Sequence, residues 1–62
     1  MDLKQRLEIE RDELEEKLNK LNGLNQSEKA NEVGADQKSL LIIQAGAMYT
    51  YLECLKARLE RL

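Results

Sequence analysis

Residues 36–62 read DQKSLLIIQAGAMYTYLECLKARLERL, and the spacing of their apolar side chains decides the fold. Leu41, Ala45, Met48, Leu52, Leu55, Leu59 and Leu62 alternate four and three residues apart, an uninterrupted heptad seam on one face of a helix. A second line runs beside it through Leu40, Ile43, Ala47, Thr50, Cys54 and Ala57, and Ile42 lies on neither. Residues 40–48 are therefore apolar nearly all round, a wider surface than one partner helix covers. Ala45-Gly46-Ala47 keeps side chains small in the same stretch, which lets a further helix come close. Gly46 costs about 1 kcal/mol of helix propensity relative to Ala. Asp36 is a suitable N-cap, so the pattern predicts a helix from Asp36 to Leu62.

Upstream, Leu7, Leu14 and Leu21 fall seven apart with Leu3 and Leu18 beside them, one apolar stripe on a helix expected from about Asp2 to Asn22. Glu13–Lys17 and Glu16–Lys20 are i,i+4 pairs in the favourable order, each worth about 0.2–0.5 kcal/mol. Asn22-Gly23 reads as a stop, since glycine takes the left-handed conformation at a helix C-terminus without a Cβ penalty. Between the two periodic segments, Ser27 is placed to cap a short helical turn over Glu28–Val33 that Gly34 would end, with a loop as the alternative. A linker of this size lets the long helices fold back as an αα-hairpin. The rival is two helices extended in a longer antiparallel coiled coil. The expected fold is all-α: an antiparallel helical hairpin, one domain over residues 1–62, that oligomerises as a helical bundle.

The case for oligomerisation starts from size. A 62-residue chain buries about 60% of the surface it exposes when unfolded, and such chains usually need a disulfide, a metal or a partner. Cys54 is the sole cysteine and there is no histidine, which excludes an internal disulfide and the usual structural zinc sets. A second copy is the remaining staple, and Leu40, Ile43, Ala47, Met48 and Cys54 are the expected interface. The net charge of −2 is too mild to point to a membrane surface or a nucleic-acid polymer. The segment Met1-Asp2-Leu3-Lys4 has no apolar leader behind it, and the run Leu40–Ile43 is far too short to span a bilayer. With the lone thiol, these features lead to the expectation of a reducing cytoplasm.

Catalysis is not expected. Without histidine, acid–base work falls to carboxylates, and consecutive pairs such as Asp12-Glu13 or Glu15-Glu16 diverge on a helix rather than share a proton. Cys54 has no histidine to activate it and reads as a small buried hydrophobe. The three glycines are scattered, so no phosphate loop exists, and no cofactor is implied. Fold-back, however, brings Lys4, Arg6 and Arg11 toward Lys56, Arg58 and Arg61, six of the ten basic residues at one end of an acidic chain. Arg11 interrupts the leucine stripe of the first helix, as does Glu10. Tyr51 and Arg58 lie seven apart on one edge of the second, with Gln44 a heptad earlier. Tyrosine and arginine on one edge can stack on a base and grip a phosphate. Arg11, Tyr51, Arg58, Gln44, Lys4 and Arg61 are thus the candidate ligand-binding residues. The alternative is an ordinary Arg–Glu pair with tyrosine packed over it.

The order Arg6-Leu7, Glu10, Leu14, Lys17-Leu18, Leu21, Ser27, Asp36-Gln37, Leu40-Leu41, Gln44, Met48, Tyr51, Leu55 and Arg58 resembles a family of very short tailed-phage proteins related to a crAss-like-phage product. The resemblance covers essentially the whole chain. It departs at Leu24 and Ala30, near which that family usually carries an aromatic. What the resemblance implies is a phage factor acting in the host cytoplasm against defence. The hairpin shape is also similar to that of phage sponges, oligomers that sequester cyclic-nucleotide or ADP-ribose-type signals of CBASS or Thoeris immunity in pockets between subunits. The expected function is a homo-oligomeric sponge for such a signal. The alternatives are a protein-binding inhibitor of a host defence complex, anti-CRISPR-like, and a structural coiled-coil assembly protein. Acidic residues between Glu8 and Glu16 would serve the former.

Overall fold

The computed structural model describes residues 1–62 and is an antiparallel helical hairpin. Helix α1 spans Leu3–Asn25, a single 3-10 turn spans Glu28–Asn31, and α2 spans Ala35–Glu60. The molecule measures 42 × 15 × 14 Å. A helix of 26 residues is about 39 Å long, so the two helices must lie side by side along the long axis. Laid end to end they would exceed 70 Å, roughly, which removes the extended arrangement.

Each helix buries the stripe its periodicity marks. Leu7, Leu18 and Leu21 of α1 and Leu52 and Leu55 of α2 are buried along this seam, and Ala30 of the 3-10 turn is buried beyond the helix ends. Leu14, Leu41, Ala45, Met48 and Leu59 are half-buried along the same seam. At the open end the seam stops early: α2 ends at Glu60, Arg61 is its cap, and Leu62 is 62% exposed. Leu3 is likewise exposed. The core of one chain is six buried residues, and Leu55 is fully enclosed. Leu55→Ala is expected to cost about 2–5 kcal/mol, read as a lower urea midpoint by circular dichroism.

Several local expectations are corrected. Asn22-Gly23 does not stop α1, which runs to Asn25 with Gly23 at an ordinary negative φ. Glycine permits a left-handed turn without requiring one, and here continuation half-buries Leu24. It also lets the Asn25 amide donate to the Leu41 carbonyl at 3.3 Å, tying the helix end to α2. Ser27 precedes the 3-10 turn but does not cap it. Its hydroxyl donates backwards to the Leu24 carbonyl at 2.7 Å, so it closes α1 instead. The turn ends at Asn31 rather than Val33. Gly34, at φ +92°, is the residue that needs glycine's freedom, and it takes the N-cap position expected of Asp36. Asp36 lies within the first turn, where its charge favours the helix dipole. At the other N-terminus, Asp2 and Gln5 form a reciprocal capping box at 2.8 and 3.2 Å. Of the two expected i,i+4 ion pairs, Lys20–Glu16 forms at 3.1 Å.

Candidate functional site

With the seam of α2 turned toward α1, its two flanks carry different chemistry. On one flank Lys56, Leu59 and Glu60 face Arg11, Asp12 and Glu15 of α1 across a shallow open groove of about 510 Å³. The Arg11 Nε donates to the Asp12 carboxylate at 3.0 Å. That hydrogen bond, joined by the charges of Asp12, Glu8 and Glu15 against some desolvation, raises the pKa of Arg11 above its ordinary value. Lys56 reaches Glu53 at 3.5 Å. The groove holds three carboxylates against two cations, a poor match to a phosphate.

The other flank carries Gln44, Tyr51 and Arg58 at heptad spacing. Tyr51 is 46% exposed, and Arg58 is exposed with no ion pair or side-chain hydrogen bond inside the chain. Gln44 makes one weak contact, its amide to the Met48 sulfur at 3.8 Å. Two residues along a helix turn the direction by about 200°, so Arg58 projects away from Lys56 and from the groove that holds Arg11. The fold therefore brings Arg11 to Lys56 and sets Gln44, Tyr51 and Arg58 in a row, but keeps Arg11 out of that row within one chain. Lys4 is exposed on the second residue of α1. Arg61 donates to the Ala57 carbonyl at 2.9 Å. The heptad spacing does not mark the acidic surroundings of Arg11, with Asp12 and Glu15 on its own helix and Glu60 lining the same groove from α2. The available signal was that Asp12 follows Arg11 directly and Glu15 stands one turn along.

The second apolar line adjoins this row. Leu40 is 57% and Ile43 66% exposed, and Ala47, Thr50 and Cys54 lie open beside them, while Met48 and Ala57 are half-buried. Cys54, expected to be buried, is exposed in the single chain, because α1 covers only the seam. A Cβ added at Gly46 would meet nothing within 4 Å, so packing inside one chain does not require that glycine. No three His, Cys, Asp or Glu side chains gather as a metal site, and no helix is long and apolar enough to cross a membrane.

A family model described as Sequestin matches residues 1–61. No curated protein and no solved structure matches the chain.

Proposed function

The chain belongs to the Sequestin family, and from that footing we propose that it is a non-catalytic binding protein, a homo-oligomer that sequesters a small nucleotide-type ligand. The family's name suggests sequestration, which is compatible with holding a ligand. The observation that carries the ligand class is the row on α2: an exposed tyrosine two turns before an arginine, on the same edge, that has no partner in its own chain. An arginine fork binds phosphate oxygens bidentately, and a tyrosine ring offers a stacking face to a base. The Gln44 amide adds both a donor and an acceptor for a base edge or a ribose hydroxyl. Arg11, already paired with Asp12 among carboxylates, is the weaker candidate for the phosphate.

The resemblance to short tailed-phage proteins supplies the setting we favour: a phage anti-defence protein in the host cytoplasm, removing a cyclic-nucleotide or ADP-ribose-type immune signal. A second reading rests on α1, whose exposed Asp12, Glu13, Glu15 and Glu16 would suit a basic protein surface of a host defence complex. Calorimetry of the purified protein against cyclic di- and trinucleotides and ADP-ribose derivatives separates the two. Sequestration predicts saturable binding to one of them and its recovery chemically intact after heat release. No binding to any, with anti-defence activity retained in cells, would transfer the assignment to the protein-partner reading.

A further inference from the structure

The second apolar line of α2 continues past its hydrophobic residues at both ends. Asp36 stands four residues before Leu40, and Arg61 four residues after Ala57, so the line starts with an acid and finishes with a base. Neither is committed to a side-chain partner. Asp36 is exposed and makes no ion pair, and the sole side-chain bond of Arg61 is to the carbonyl of its own last turn. Between them, Leu40, Ile43, Ala47, Thr50, Cys54 and Ala57 keep the 3–4 alternation of a coiled-coil seam, uncovered by α1 except at half-buried Ala57.

We propose that this line is the contact with a second copy, α2 against α2 antiparallel, with Asp36 of each chain beside Arg61 of the other. The register follows from the charges, and the side-chain sizes in every layer between them suit it. When the acid of one chain meets the base of the other, Leu40 comes opposite Ala57, Ile43 opposite Cys54, and Ala47 opposite Thr50. Each layer sets a larger side chain against a smaller one, so the two helices run at one separation along the whole line. A parallel pair would place Asp36 on Asp36 and Arg61 on Arg61, like charges at both ends, and would stack the bulky Ile43 on itself. Gly46, which no contact in its own chain explains, flanks the central layer and permits close approach there.

The pairing goes beyond the sequestration reading and does not depend on it, although it bears on the same residues. Gln44, Tyr51 and Arg58 occupy one flank of the line, and in an antiparallel pair the like flanks of the two helices face each other. Gln44 of each chain then approaches Tyr51 of the other, so the polar row is doubled into an edge that neither copy holds alone. Arg61 is thereby assigned to assembly, and Arg58 stays free for a ligand.

Oxidative cross-linking tests the register. In the antiparallel pair the two Cys54 residues sit eleven residues apart along the axis, about 16 Å, too far for a disulfide. The wild-type protein should therefore still run as a monomer on non-reducing denaturing gels after mild oxidation, whereas Ile43→Cys should convert almost wholly to covalent dimer through the partner's Cys54. Ready formation of a wild-type disulfide dimer, or failure of Ile43→Cys to cross-link in a protein that sediments as a dimer, would overturn the proposal. A charge arm gives a second reading. Asp36→Arg should weaken dimerisation on the order of tenfold, and adding Arg61→Asp should restore it. A double variant no tighter than the single one would also count against the pairing.

Discussion

Ile43→Asp and Ala47→Glu are each expected to dissociate the protein and unfold it. In one isolated chain Ile43 is 66% exposed and Ala47 is open, so a carboxylate at either site would touch only water and cost little. A large loss therefore has one source, burial against another copy. A charge placed in such an interface without a partner costs several kcal/mol, and twofold symmetry applies the cost twice. The hairpin has little to set against that, since six buried residues form the core of a 62-residue chain. Folding and assembly are then one equilibrium, and the wild-type melting temperature should rise with concentration. Sedimentation velocity with circular dichroism at micromolar concentration checks both variants. A wild-type monomer that melts cooperatively at a concentration-independent temperature would refute the expectation.

The second large effect is on the ligand. Arg58→Ala should leave the oligomer and its helicity intact while weakening a phosphate-bearing ligand about 10- to 100-fold, since hydrogen bonds to charged groups contribute about 1.5–3 kcal/mol. Tyr51→Ala should lose a stacking contribution of about 1–3 kcal/mol per base, with a smaller change in salt dependence than Arg58→Ala. Arg11→Ala should matter less, because Arg11 projects on the other side of α2 and is held by Asp12 at 3.0 Å. Charge reversal at Glu13 and Glu16 should leave the small ligand untouched and would cripple a protein-partner inhibitor. Titration calorimetry of these variants against one ligand ranks them. Equal losses at Arg58 and at Glu13 would indicate a folding defect rather than a site.

The helices and the face each buries were legible because heptad spacing encodes them directly. Leu52 and Leu55 fall where the alternation of four and three puts them, and the core is there. The ends were less so. Gly23 carries a local stop signal that the Asn25–Leu41 hydrogen bond and the burial of Leu24 override, and those are tertiary facts. Asp36 looked like the cap because its side chain suits the role, yet the chain must reverse at Gly34, where only glycine tolerates the backbone. The candidate site divides along the same line. That Tyr51 and Arg58 share an edge is a matter of spacing within one helix. That Arg11 meets Lys56 on the opposite flank depends on the hand in which the hairpin closes, which no spacing along a single helix specifies. Cys54 shows the difference between being apolar and being covered: its position marks a contact face, and α1 reaches only the neighbouring seam.

The central claim is that this hairpin holds a small ligand as an assembly of copies and does nothing else to it. Native mass spectrometry of the protein recovered from cells in which the defence signal is being made tests it most directly, because subunit number and retained mass are read together. The account predicts an oligomer of whole-number subunits carrying a nucleotide-sized adduct, released unchanged on denaturation and diminished in Arg58→Ala. A bare monomer, or an oligomer with no adduct while the signal is abundant in the same lysate, would contradict it.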